Sequence, residues 1–343
     1  MKRSKKIILE LTILLILMAL TFYYLLKDSD LGEILRSIED ANVFFLALGV
    51  LSMIVYIYCG GWCIQVLLKG RGQQMSSIRC FKYSLIEIYF SAITPSNTGG
   101  QPMQLVSMTQ DGYSVADGSV ILLVITALYK FALLALAMIL FPLNWGLISE
   151  RMASMKILFP IGLVLHLLLI GWIIFVLCAK KLLYRLCKSV IRLLHRLHIL
   201  KETDVATVKA ARKCIQYRQC SAFMAAHPAL VLRTFGVLLV QRVCLYIVPY
   251  LVYRALGFNA YRADQVVAIQ LLLSICVDML PLPGAIGVTE TGFLALFGPL
   301  FGTASVATTA VLLSRGLSFY LLLFVSGLTV SGLQLSRLLK KHK

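Results

Sequence analysis

Among the ionisable side chains within or directly beside the long apolar runs of this sequence, six are candidates for the membrane interior: Glu87, Lys130, Arg242, Asp278, Glu290 and Arg315. A charge at the centre of a bilayer costs from about 3 to over 10 kcal/mol, depending on how it is measured, so each of these residues needs a partner or a task. Three cations and three acids allow mutual neutralisation that only ties helices together. They also allow a polar cavity that accepts a charged headgroup. Arginine suits phosphate because its planar fork donates two parallel hydrogen bonds. A carboxylate suits a cationic group. Glu290 is expected to pair with Arg315 when such a site is empty, and to meet a cationic headgroup when it is full.

Two broken segments accompany these charges. The first reads Thr94-Pro95-Ser96-Asn97-Thr98-Gly99-Gly100-Gln101-Pro102, and the second Pro281-Leu282-Pro283-Gly284-Ala285-Ile286-Gly287-Val288-Thr289-Glu290. Each has proline, then small residues with glycines, then a carboxylate or its amide. Pro95, Gly99, Gly100, Pro283, Gly284 and Gly287 are the expected helix breaks. Each break follows a run with one acid, Glu87 or Asp278, and precedes a span with one deep cation, Lys130 or Arg315. Free N–H groups at a broken helix end help to hold an anion. The candidate substrate-binding set is Glu290, Arg315, Lys130, Gln101, Asp278, Arg242, Glu87 and Asn97.

The surrounding chain is that of a membrane protein. Of 343 residues 59% are hydrophobic and only 14% charged, against about a quarter charged in a soluble domain. Apolar runs cover roughly Ile7–Leu26, Val43–Leu68, Ile78–Thr94, Val115–Phe141, Ile157–Ala179, Ala229–Leu256, Val266–Leu280, Thr291–Phe301 and Ala304–Leu333, and a run of about 18–20 with few charges reads as a spanning helix. No cleavage site follows the first, which reads as an uncleaved span. The net charge of +18 would suggest nucleic acid in a soluble protein. Here the basic residues sit at the ends of apolar runs, so they report topology, and no nucleic-acid partner is expected. Lys and Arg cluster at the N-terminus, in 69–82, in 180–228 and at the C-terminus, which places all four in the cytoplasm. The acidic segment 27–41 fits the outside. Leu31, Ile34, Leu35 and Ile38 predict one surface helix. A basic helix over 183–197 is expected either on the anionic cytoplasmic leaflet or packed on the protein's own cytoplasmic face.

With this orientation, residues 95–112 must return the chain towards the cytoplasm, although they are too polar for a lipid-facing helix. Broken backbone at membrane depth persists only where protein or a water-filled cavity covers it. The second break follows a run of opposite direction, so the two units are inverted repeats, with the binding site at the breaks. The expected fold is all-α: one integral membrane bundle over 1–343, with about eight to nine spans and two broken, re-entrant segments. Repeat one covers about 43–141 and repeat two about 229–335. A connecting span and a basic segment lie between them over 142–228.

Cys59, Cys63, Cys178, Cys244 and Cys276 fall in apolar runs and read as packing residues. The histidines form no metal cluster, and no cofactor is implied. No Walker A, HExxH or GxSxG sequence is present.

The stretches ITPSNTGGQPMQL (93–105) and PLPGAIGVTETGF (281–293), on this frame of spans, resemble the lysylphosphatidylglycerol synthase membrane-domain family. The resemblance covers about residues 7 to 335. It implies the lipid-flipping half of a bifunctional aminoacyl-phosphatidylglycerol synthase/flippase, a module that also occurs alone in bacterial plasma membranes. The family often has Gly-Glu in its first motif. This chain has Gly100-Gln101, which removes an acid there. Glu290 matches the acid of the second motif, and Arg315 matches a basic residue of the last long span. The chain stops at Lys343 directly after that span, which argues against the soluble aminoacyl-transfer domain. The expectation is therefore a phospholipid translocase whose substrate is a phospholipid, including an aminoacylated phosphatidylglycerol. A phosphatidylglycerol lysyltransferase, a small-solute secondary transporter and a non-transporting scaffold stay open as alternatives. So does self-association into a homo-oligomer.

Overall fold

The computed structural model describes residues 18–27, 30–95, 97–178, 222–280 and 282–341, with isolated positions outside them. The basic N-terminus, the start of the span expected from Ile7 and nearly all of the basic helix expected over 183–197 lie outside the described residues. Every regular element among the described residues is helical. The amphipathic acidic segment forms α1 (Leu31–Glu39), started by Asp30, whose carboxylate accepts from the Gly32 and Glu33 amides. Ile34 is its buried residue, while Leu31 and Leu35 face outwards.

Long apolar runs give long helices: α2 (Val43–Gly70), then α3 (Ser77–Ile93), α4 (Gly100–Gln110) and α5 (Val115–Leu143). After α6 (Trp145–Ser154) the chain bends by 107° into α7 (Leu158–Cys178). Next come α8 (Pro228–Tyr246), α9 (Val248–Ala255), α10 (Ala263–Val277), α11 (Val288–Phe297) and α12 (Ala304–Arg315). A π-helical turn over Gly316–Tyr320 leads into α13 (Leu321–Lys341). Four helical stretches are long and apolar enough to cross a membrane, and a fifth is added if the bent pair counts as one span. The other apolar runs form shorter helices, because the breaks divide them.

Those shorter helices form two hairpins. At 1.5 Å per residue the 11 residues of α4 rise about 16 Å, roughly half of a hydrocarbon core about 30 Å thick. The far end of α4 returns beside the start of α3. Tyr83 Oη donates to Asp111 Oδ2 at 2.5 Å, and Gln104 Nε2 donates to the Tyr83 carbonyl at 3.1 Å. The same end of the bundle holds the Arg71–Asp117 ion pair and the bond from Tyr113 Oη to the Gln74 carbonyl. The second hairpin, α10 and α11, starts and finishes at the opposite end. There the Asn42 amide donates to the Ala255 carbonyl at 2.8 Å. Thr303 Oγ1 donates to Glu33 Oε1 at 2.7 Å, and Tyr253, Phe258 and Phe301 pack ring against ring. The hairpins thus enter the bundle from opposite ends.

Their tips touch. Pro95 and Pro283 form an isolated antiparallel bridge. Proline has no N–H, so the residues flanking each proline must supply the bridge bonds. Two positions beyond each proline the backbone takes a positive φ at a residue other than glycine, 55° at Asn97 and 50° at Ala285. Such strain persists only where the surroundings enforce it. Gly284 is required here twice over: its φ is 57°, and a Cβ would run into the Phe319 ring.

Candidate functional site

At the tip of the second hairpin Gly287 precedes α11, and Glu290 occupies the third helical position. Glu290 Oε2 accepts from the Gly287 amide at 2.7 Å, which satisfies one of the free donors at the helix start. Its other oxygen, Oε1, accepts from Arg315 Nε at 2.7 Å. Arg315 ends α12 and also donates through Nη2 to the Gly284 carbonyl at 3.1 Å. Its guanidinium lies over the Phe319 ring at 4.2 Å, so the π turn supplies the face on which it stacks. Glu290 is 1% exposed. This ion pair, with its carboxylate buried and both partners anchored to backbone, joins the two residues that the sequence suggested as partners.

The first tip carries no such pair. Gly99 and Gly100 begin α4, and no side chain caps that helix start, although Thr94 Oγ1 accepts from the Gly99 amide at 2.8 Å. A Cβ on Gly100 would collide with the Glu87 carbonyl and Ser91 Oγ, so the helix start presses directly on α3. Gln101 does not mirror Glu290. Counted from the bridged prolines, or from Gly99 and Gly287, Gln101 matches Thr289, and Pro102 matches Glu290. The sequence likeness of Gln101 to Glu290 is therefore one residue out of register. Gln101 turns to α5 and donates through Nε2 to Thr126 Oγ1 at 2.5 Å. Glu87 instead faces the α4 start and accepts from Ser91 Oγ at 2.9 Å.

Four of the candidate charges gather around the two tips. Arg242 on α8 and Lys130 on α5 are 5% and 8% exposed. Arg242 lies 4.0 Å from the Tyr129 ring and 5.3 Å from the Tyr56 ring. It donates through Nη2 to Gln241 Oε1 at 3.3 Å and to Tyr56 Oη at 3.4 Å, while its buried Nε has no partner among the described residues. Lys130 Nζ sits 5.0 Å from the Tyr129 ring. Asp278 caps the end of α10, within electrostatic reach of Lys130 and Arg242; Glu87 is within reach of Arg242. Ion pairs within 4.0 Å among the described residues join Arg71–Asp117, Arg151–Glu150, Arg262–Asp264 and Arg315–Glu290. Lys130, Arg242, Glu87 and Asp278 belong to none of them. Glu87 and Asp278 are half-buried.

Such an arrangement has a direct chemical meaning. Two cations and two acids lie within electrostatic reach of one another and balance in charge as a cluster, with no close ion pair between them among the described residues. Arg242 is preorganised by stacking, and Lys130 supplies a point charge beside it. Sequence reasoning missed the tyrosines that hold Arg242, because aromatic residues in apolar runs look like core. It also missed His166, a single polar side chain in the run LVLHLLLI; the interruption of that run was the available signal.

Buried polar hairpins between apolar helices define a multi-pass membrane protein whose polar interior lies at the meeting point of two broken segments. The family comparison specifies it further. The chain matches the family described as lysylphosphatidylglycerol synthase TM region over residues 7–326, and it belongs to that family. Membership ties the chain to membrane-lipid function at family level. No curated protein matches it.

Proposed function

We propose that this chain is a lipid translocase, moving a phospholipid between leaflets with the headgroup passing through the polar space at the two hairpin tips. The observation that carries this reading is the set of four unpaired charges, Lys130, Arg242, Glu87 and Asp278, beside tips that enter from opposite ends. Unpaired charge inside a membrane bundle marks a transport path by default. Arg242 and Lys130 receive the lipid phosphate. Glu87 and Asp278 balance them, or meet the ammonium of an aminoacylated phosphatidylglycerol. Glu290 and Arg315 hold the second tip in the empty state and exchange partners when the headgroup arrives.

In this reading residues 43–141 and 229–335 are inverted repeats that rock about the tips, and the apolar runs make about eight to nine crossings of a bacterial plasma membrane. The basic end of the bundle, with both termini, faces the cytoplasm.

The test is translocation of fluorescent phosphatidylglycerol and lysyl-phosphatidylglycerol in proteoliposomes. Lys130→Gln and Arg242→Gln are expected to slow the transfer by about tenfold or more, equivalent to losing about 1.4 kcal/mol of headgroup stabilisation each. Unchanged transfer in both variants, with the wild type active, would reject the site. A wild type no faster than empty vesicles would reject the function.

A further inference from the structure

His166 lies beside the polar cluster and has no part in headgroup recognition as described above. Helix α7 turns Gly162, His166 and Ile170 inwards as one buried stripe, while Leu165, Leu167 and Leu168 stay exposed. A Cβ on Gly162 would run into the Ile275 carbonyl of α10, so α7 and α10 touch backbone to backbone one turn before Asp278. That contact sets His166 at the base of the second hairpin tip. The imidazole is 0% exposed. Its Nδ1 bonds the Gly162 carbonyl at 2.9 Å, and a carbonyl can only accept, so Nδ1 carries the hydrogen. Nε2 is buried and has no partner among the described residues.

A buried polar nitrogen without a partner is costly, and one that can take a proton has an evident use for its lone pair. The charged groups facing it are Lys130 from α5 and Asp278 from the end of α10, and its own helix contributes only the Gly162 carbonyl. Arg242 stands behind them, within reach of both Lys130 and Asp278. A proton on Nε2 would thus be balanced by Asp278 and opposed by Lys130. Binding an anionic phosphate at Lys130 and Arg242 removes that opposition.

We propose that His166 Nε2 is a proton-binding site, and that one proton taken up there accompanies each anionic headgroup through the bundle. This rests on the translocase reading. Uptake converts the neutral imidazole to imidazolium, with the second hydrogen on Nε2, and release to water on the far side restores it. The full burial of His166 in this state is what makes the coupling strict, since an exposed imidazole would leak protons without a lipid.

The experiment has two arms. In proteoliposomes with fluorescent phosphatidylglycerol distributed equally at the start, a gradient of one pH unit is expected to drive an about tenfold leaflet asymmetry, the value for one proton per lipid. Collapsing the gradient with a protonophore abolishes it. His166→Asn, which keeps a donor for the Gly162 carbonyl but has no second basic nitrogen, loses the asymmetry. The other arm is a 15N-histidine NMR titration of the full chain in phosphatidylglycerol nanodiscs, assigned by difference against His166→Asn. His166 Nε2 is expected to gain its hydrogen as the pH is lowered. Lipid exchange in the wild type that ignores the gradient overturns the coupling and leaves the translocase standing. Asymmetry that survives in His166→Asn also overturns it. If the wild type moves no lipid, the translocase reading fails and the titration decides the proton site, a neutral His166 throughout rejecting it.

Discussion

At one hairpin tip a glutamate closes the helix start, binds an arginine 25 residues on and is sealed from solvent; at the other, the matching residue is a proline, and the helix start has no side-chain cap. Both tips use proline, a positive-φ residue two positions later and a glycine before the helix. The same backbone device therefore serves two ends. Around Glu290 it is locked by a complete set of hydrogen bonds. Around Gly100 it leaves polar groups facing Glu87 and, through it, the unpaired Arg242. The close ion pairing of the two tips is thus concentrated at the second, while Glu87 and Arg242 around the first stay outside any ion pair among the described residues.

The sharpest way to break this comparison is to remove Glu290. Glu290→Ala strands Arg315 in the interior, and the expected loss is about 3–5 kcal/mol, read as a fall in the unfolding midpoint in detergent. Joint replacement, Glu290→Leu with Arg315→Met, is expected to recover most of that loss, because breaking one partner is worse than removing both. No recovery would show that the bonds to Gly287 and Gly284 carry the tip without the ion pair.

Next in size are the glycines. Gly284→Ala meets both an unfavourable φ and the Phe319 ring, so about 2–3 kcal/mol is expected. Pairing it with Phe319→Ala relieves the clash but not the φ, and should return only part of the loss. Gly100→Ala presses on the Glu87 carbonyl, which cannot move aside, so about 1–3 kcal/mol is expected and Ser91→Ala should not rescue it. Equal rescue at both tips would erase the distinction drawn here.

A smaller effect is expected from Arg242→Lys. Charge is kept, but the stacked fork over Tyr129 and Tyr56 is lost, at about 1–2 kcal/mol. The loss should appear in lipid transfer more than in thermal stability. The smallest is Gln101→Glu, which forfeits the donor to Thr126, whose hydroxyl already donates to the Leu122 carbonyl. About 1 kcal/mol is expected in the unfolding midpoint. If Gln101→Glu instead matched Glu290→Ala in size, the two positions would be equivalent after all.

Much of this molecule is legible in its sequence. Pro95, Gly99, Pro283 and Gly284 act through their own backbone torsions, so the breaks follow from residue type alone. The apolar runs fix helix after helix within a few residues, because burial in lipid and backbone bonding both act locally. Glu87, Lys130, Arg242, Asp278, Glu290 and Arg315 declared themselves by standing in runs where a charge is expensive. The likeness of Gln101 to Glu290 is chemical only, because the count from the glycine before each helix pairs Gln101 with Thr289.

What the sequence alone determined, then, is where the chain breaks and which charges it takes inside. The pairing of Glu290 with Arg315 was already expected from the sequence, but the other partners were decided by the tertiary structure. Arg242 chose two tyrosines, and Asp278 came to face Lys130 and His166 from a distant part of the chain. Local forces set backbone torsion. Coulomb attraction and ring stacking act through space, so they wait for packing to bring the tips of two opposed hairpins together.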